Sequence, residues 1–174
     1  MSIKTWVVDP AHSEINFKVK HLMISNVKGE FTTFNATIDS EDFSKSTISV
    51  HIDANSISTN NEDRDNHLRS ADFFEVETYP EITFVSTSVN KVSDDEYQIT
   101  GNLTIKGTMK EITLDTEFGG FMKDPYGNEK AGFSINGKLN RKDFGLNWNA
   151  ALEAGGVMVG NEVKINAEVQ FVKQ

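Results

Sequence analysis

The chain lacks cysteine, has only three prolines, and contains no long run of apolar residues. Without cysteine there are no disulfides and no thiolate metal sites, which permits a reducing compartment without requiring one. The first twenty residues carry charges at Lys4, Asp9, Glu14, Lys18 and Lys20 with no apolar run between them. We therefore expect neither a signal peptide nor a membrane span, and we expect a cytoplasmic protein.

Positive charge is also scarce. Seventeen Lys and Arg stand against 26 Asp and Glu, which gives a net charge of -9. This charge repels phosphate backbones, so nucleic acid is not expected as a partner, and docking on a membrane through a basic patch is disfavoured for the same reason. A single local phosphate contact remains compatible with it, because net charge does not determine one pocket. The 174 residues are predicted to form one domain, residues 1–174, with its own core.

Polar and apolar residues alternate with period two along most of the chain, which is typical of strands with one dry face. Residues 14–20 are one example, and the alternation recurs around residues 48–52, 82–89, 97–105, 112–118, 133–139 and 163–171. Residues 27–31 and 34–38 have opposite parity, so one strand through both needs a bulge near Thr32 and Thr33. Turn-forming residues at 93–95, 106–108 and 124–128 separate neighbouring strands. The pattern predicts about eight strands in an antiparallel meander.

The apolar faces of these strands need a partner. Only residues 60–75 have helical character, and one short helix cannot cover eight strands, so the sheet must close on itself or fold as a sandwich. Gly29, Gly101, Gly107 and Gly137 share the parity of the apolar face, so they remove side-chain volume from the interior and leave space for a ligand, mark bends in the strands, or do both. We predict an all-β fold: an extended antiparallel β-barrel of about eight strands with one short helical insertion near residues 60–75.

The insertion has capping residues of its own. Asn60 or Asn61 can cap a helix with an acidic first turn, and Ser70 can cap a second short turn that carries Phe73 and Phe74. Two capped pieces in one connection predict a folded lid over one end of the barrel.

Four blocks of sequence in register resemble one known family. They are W-V-V-D-P-A-H-S at residues 6–13, R-D-N-H-L-R-S-A-D-F-F at 64–74 with Y-P-E-I-T-F at 79–84, G-N-L-T-I-K-G at 101–107, and N-R-K-D-F-G-L at 140–146. This arrangement resembles the YceI-like family. The resemblance implies a lipocalin-like barrel that binds a polyisoprenoid or other lipid chain in an apolar tunnel, often as a homodimer.

Two sets of side chains are the candidate ligand-binding residues. The predicted tunnel residues are the inward apolar side chains Phe17, Val19, Phe31, Phe84, Leu103, Ile105, Phe133 and Ile135; the alternative is that they pack a solid core. The predicted lid and head-group residues are Arg64, His67, Arg69, Phe73, Phe74 and Arg141. All three arginines of the chain belong to this second set, and the arginine fork suits an anionic head group. Because each arginine has an acidic residue nearby in sequence, structural ion pairing that holds the lid in place is the more common explanation, and binding of an anionic head group is the hypothesis set against it.

No catalytic residue, cofactor or metal site is predicted. The spacing of His12, His21, His51 and His67 matches no zinc pattern, and His12 and Ser13 lie too close in sequence to Asp9 for a triad. The leading hypothesis is non-catalytic binding and carriage of a small apolar ligand, without stable membrane insertion. One alternative is an enzyme acting on a lipid-like molecule inside the barrel, and another is a structural or stress-related protein with a filled core.

Overall fold

The computed structural model describes residues 6–22, 24–40, 42–148 and 159–174. Its α-helix is α1 (Glu62–Arg69), and its strands are β1 (Trp6–Val8), β2 (Glu14–His21), β3 (Ser25–Phe31), β4 (Phe34–Ile38), β5 (Ile48–Asp53), β6 (Ile57–Ser58), β7 (Glu81–Lys91), β8 (Glu96–Ile105), β9 (Thr108–Lys123), β10 (Glu129–Asn140) and β11 (Val159–Lys173).

Eight of these strands form a closed ring in the order β1-β4-β5-β7-β8-β9-β10-β11, because β1 pairs with both β4 and β11. Strand β2 pairs with β11 next to β1, and β3 and β6 follow β2 in the sheet. Every pairing is antiparallel. The predicted all-β barrel with one helical insertion is confirmed, and the sandwich alternative is wrong.

The break between β3 and β4 and the turn between β8 and β9 lie at positions that the local sequence favours. Strand β3 ends at Phe31 and β4 starts at Phe34, so the two stretches of opposite parity are separate strands and not one strand with a bulge. Strands β8 and β9 are joined by the two-residue turn Lys106-Gly107, with φ angles of 52° and 75°. Positive φ at both turn residues matches the right-handed twist of a hairpin, and glycine adopts it without steric cost.

The inward glycines make room for neighbouring side chains. A Cβ on Gly101 would lie 2.6 Å from Cζ of Phe84, and a Cβ on Gly137 would lie 2.5 Å from Cδ2 of Leu114. Gly29 lies directly opposite Phe17 across the β2–β3 pair, and its missing Cβ is where that ring packs. The volume that these glycines free is therefore filled by adjacent rings and methyl groups.

The insertion folds over one end of the barrel. Asn61 caps α1 by accepting a hydrogen bond from the Arg64 amide at 3.0 Å, and Ser70 ends the helix, followed by turns at residues 71–74. The buried Asp65 carboxylate accepts hydrogen bonds from the amide and hydroxyl of Thr59 at 2.8 and 2.5 Å. Leu68 and Phe74 pack their apolar side chains against the core. The insertion therefore has the two capped pieces that the sequence predicted, a helix that starts after Asn61 and a short turn that follows Ser70.

Candidate ligand cavity

A cavity of about 520 Å³ lies between the lid and the end of the barrel. Its volume falls within the range of roughly 300–1,000 Å³ that is usual for small-molecule sites. Most of the lining is apolar: Ile15, Phe17, Val19, Val27, Phe31, Ile52, Leu68, Phe73, Phe74, Ile82, Leu103, Ile105, Leu139, Leu146, Trp148, Val159, Val163 and Ile165. Such a lining favours the apolar part of a ligand.

A second, smaller cavity of about 120 Å³ lies deeper in the barrel. It shares Ile15, Ile52, Leu103 and Ile165 with the larger cavity, so these four side chains form the boundary between the two spaces. The barrel interior is therefore partly hollow and narrows at this boundary.

Arg141 lines the larger cavity but is occupied by the backbone. The residue is 3 % exposed, and its guanidinium donates to the carbonyls of Gly160, Leu146 and Trp148 at 2.8, 2.6 and 2.8 Å, and to that of Val159 at 3.3 Å. Burial lowers the pKa of Arg141, although an arginine remains charged in proteins. This side chain ties the end of β10 to the start of β11.

Arg64 also lines the cavity and keeps more of its donors free for a ligand. Its Nε donates to Oγ1 of Thr59 at 2.8 Å, and its Nη2 donates to the Thr59 carbonyl at 2.9 Å. A guanidinium has five N–H groups, so among the described residues the other three make no hydrogen bond. Neither Arg64 nor Arg141 forms an ion pair with a carboxylate in the described part of the chain. The expectation that Arg64 and Arg141 pair with nearby acidic residues is therefore wrong for the described part of the chain.

Three comparisons with known proteins bear on this cavity. The model of the YceI-like domain family matches residues 6–171. The chain belongs to the YceI-like family. A UPF0312 protein of Staphylococcus epidermidis is 46% identical over 166 residues, 94% of each chain. The Campylobacter jejuni YCEI protein is 39% identical, with a TM-score of 0.75 over 89% of this chain and 90% of that one.

A more distant solved structure shares the fold alone. A polyisoprenoid-binding domain from Saccharophagus degradans has a TM-score of 0.71 and 15% sequence identity, over 98% of this chain and 99% of that chain. In the described residues of this YceI-like chain, no helix is long and apolar enough to cross a membrane.

The eight predicted tunnel residues divide between the two cavities of the YceI-like barrel. Five line the larger one: Phe17, Val19, Phe31, Leu103 and Ile105. The smaller one is lined by Phe84, Phe133 and Ile135, together with Leu103. Whether they contact a ligand stays a prediction.

Of the predicted lid residues, five line the larger cavity: Arg64, His67, Phe73, Phe74 and Arg141. Arg69 does not. Its Nε and Nη2 donate to the carbonyls of Asn55 and Ile57 at 3.0 Å each, and its Nη1 donates to Asn66 at 3.1 Å. Arg69 therefore fastens α1 to the barrel rim, away from the cavity.

Sequence reasoning missed the polar cavity residues Lys20, His21, Asn61 and Asp63, as well as Trp148. Trp148 packs edge-on against His67, with ring centroids 4.7 Å apart, and lies 5.5 Å from Phe73. The alternating pattern of β2 could have indicated His21, because it shares the parity of Phe17 and Val19. No local signal could have indicated Trp148, which follows the turn at residues 141–144.

Proposed function

We propose that this YceI-like barrel binds the apolar chain of a lipid-like molecule in the larger cavity. The observation that carries the proposal is an apolar cavity of about 520 Å³. At its lid, Arg64 uses only some of its N–H groups in hydrogen bonds to described residues. The S. degradans polyisoprenoid-binding domain, which shares this fold, supports the choice of ligand class. Burial at roughly 0.8 kcal/mol per methylene gives on the order of 8 kcal/mol for about ten methylenes, which corresponds to about micromolar affinity.

The cavity volume bounds the ligand. At roughly 30 Å³ for each heavy atom, the volume of a liquid water molecule, about 520 Å³ accommodates about 17 heavy atoms. A farnesyl chain is of this size. The ligand is therefore a short prenyl chain or a fatty chain of similar bulk.

The head group of the ligand is an anion that Arg64 binds. Arg64 and Arg141 both line the cavity, but carbonyl oxygens occupy the Arg141 guanidinium on both of its edges. Arg64 retains an Nη1 group without a hydrogen-bond partner in the described residues, and a guanidinium binds phosphate or carboxylate through paired donors.

Isothermal titration with farnesyl phosphate and with farnesol tests both parts of this proposal. We expect both probes to bind. Arg64→Gln is expected to lower the affinity for farnesyl phosphate roughly tenfold or more, as for the loss of a charge-assisted hydrogen bond, and to leave the affinity for farnesol unchanged. Lys142→Gln removes one positive charge from an exposed side chain that does not line the cavity, so it is the matched control. Equal effects of Arg64→Gln on the two probes would overturn the head-group assignment, and no binding of either probe would overturn the function.

A second candidate function, catalysis on the bound molecule, is favoured by one observation. His67 lines the cavity and its Nε2 lies 2.9 Å from Oδ2 of Asp72, an arrangement that can orient a histidine for proton transfer. His67 also packs against Phe73, with ring centroids 5.1 Å apart, which serves the lid alone. Chromatography of farnesyl phosphate after incubation separates the two functions. Unchanged probe supports carriage, whereas conversion that His67→Gln abolishes supports catalysis.

A further inference from the structure

A row of four lysines crosses the outer face of the barrel. Strand pairing places Lys138 opposite Lys164, Lys164 opposite Lys18, and Lys18 opposite Lys28. Lys18 lines an open surface groove together with Lys28, Lys138 and Lys164, and none of the four lines the cavity. Like charges directly opposite each other destabilise a sheet, so this row is unfavourable unless something negative lies against it.

Part of that charge is compensated within the protein, since Glu30 and Asp115 line the same groove as the four lysines. Lys138 lies 3.8 Å from a Glu162 carboxylate oxygen. Lys18, Lys28 and Lys164 have no ion-pair partner among the residues that the structure describes. In a chain of net charge -9, the row is a local reversal of sign that suits an anionic partner.

The hairpin formed by β2 and β3 adds an exposed apolar tip to this face. Ile24 is 86% exposed and Leu22 is 38% exposed. Residues 18–28 read K-V-K-H-L-M-I-S-N-V-K, with three lysines and no acidic residue. Exposed apolar side chains flanked by lysines are the combination that binds the interface of an anionic membrane.

The same hairpin borders the cavity, to whose lining it contributes Lys20, His21 and Val27. We infer that the β2–β3 hairpin docks on an anionic phospholipid surface, where the cavity exchanges its ligand with the bilayer. This inference rests on the proposed lipid-binding function. A bilayer fits better than an acidic protein, because the headgroup layer accommodates a projecting apolar tip without a matching pocket.

Vesicle flotation tests the charged part of the surface. The probes are vesicles of phosphatidylcholine alone and of phosphatidylcholine with about one-third phosphatidylglycerol, an anionic lipid. Each lysine near an anionic surface is expected to raise the affinity for it about fivefold. The triple variant Lys18→Gln/Lys28→Gln/Lys164→Gln is therefore expected to bind the anionic vesicles roughly a hundredfold more weakly than the parent protein. The matched control removes three exposed lysines elsewhere, Lys91→Gln/Lys110→Gln/Lys123→Gln, and is expected to bind like the parent protein.

Ile24→Ser tests the apolar tip, with the exposed Val92→Ser as its control. We expect Ile24→Ser to weaken binding to the anionic vesicles and Val92→Ser to leave it unchanged. The inference would be overturned if the protein did not bind vesicles at all. It would also be overturned if none of the substitutions in the hairpin and the lysine row changed vesicle binding. Analytical sedimentation measures self-association. If the parent protein self-associates and the triple lysine variant does not, the inference is also overturned, because the face would then join two copies of the chain.

Titration with farnesyl phosphate keeps this inference separate from the proposed function. None of Lys18, Lys28, Lys164 and Ile24 lines the larger cavity, so their variants are expected to bind the probe like the parent protein. Retained probe binding without vesicle binding rejects the docking surface alone. Loss of probe binding in the parent protein rejects the lipid-binding function itself.

Discussion

Asp9 joins the turn after β1 to strand β10 through one carboxylate that accepts three hydrogen bonds. Its Oδ1 accepts from the Ala11 amide at 3.0 Å, and its Oδ2 accepts from Nδ1 of His12 at 2.8 Å and from Nζ of Lys130, on β10, at 3.2 Å. The hydrogen bond from His12 is the largest cause that lowers the pKa of Asp9, and Lys130 and the Ala11 amide add to it. The D-P-A-H-S segment thus holds the turn between β1 and β2 in place.

Asp9→Asn is expected to lower the free energy of unfolding by about 1–3 kcal/mol near neutral pH, because Nδ2 of asparagine cannot accept from His12 or Lys130. The folded-state pKa of Asp9 lies below its ordinary value of 3.8. Its contribution is therefore present above that pH and is lost as pH falls through the folded-state pKa. Urea unfolding at several pH values should show the difference from the parent protein shrinking below about pH 4.

The control for this prediction is Asp94→Asn, in the exposed turn between β7 and β8, which should change stability little at any pH. If the parent protein and Asp9→Asn differed in stability by the same amount below about pH 4 as at neutral pH, the Asp9 charge would have no role in stability.

The arginines show where reasoning from neighbouring residues stops. Asp65 and Asp143 lie one and two positions from Arg64 and Arg141, which made ion pairs the expected partners. In the structure Asp65 faces the amide and hydroxyl of Thr59, and Arg141 faces a set of carbonyls that come together only when β10 and β11 pair. Sequence proximity identified residues at the cavity but not their partners, because the partners are set by the tertiary fold.

At the scale of strands and helices, periodicity predicted most of the architecture. Alternation located the long strands, and the cap at Asn61 located the start of α1. The closed barrel was predicted, but the strand that closes it was not, because β1 has three residues, too few to show a period, and pairs with two distant strands. The size of the cavity was not predictable, because the space inside depends on cross-strand neighbours such as Phe84 beside Gly101.

Gly101→Ala tests whether the glycines of the inner face are required for packing. An added Cβ would lie 2.5 Å from the Val85 carbonyl oxygen, and backbone cannot move aside as a side-chain end can. We expect a loss of about 1–3 kcal/mol in the free energy of unfolding, as for other overpacked cores. Thermal or urea unfolding measures it.

Gly132→Ala is the matched control, because nothing lies within 4 Å of a Cβ at that position. It should be neutral or slightly stabilising, since glycine in a strand carries an entropic cost. If the two variants lost the same stability, strand propensity and not packing would explain the glycines.

For the whole molecule, net charge and local charge lead to different conclusions. The net charge of -9 argues against polyanionic partners when it is averaged over the surface. Strand pairing, however, aligns Lys138, Lys164, Lys18 and Lys28 in one row. These residues come from both ends of the sequence, so their alignment emerges only from the register of the sheet. The averaged argument fails for this face.

The boundary between the two cavities determines how far a chain can enter the barrel. Leu103 lines both cavities and is 6% exposed, so Leu103→Ala joins the spaces at a stability cost of about 2–5 kcal/mol. We expect the variant to shift its preference from farnesyl phosphate toward geranylgeranyl phosphate in competition titrations. Leu139→Ala, which enlarges only the larger cavity, should shift that preference less. A preference that Leu103→Ala leaves unchanged would mean that the ligand ends above this boundary, and the deeper cavity would then have no part in binding.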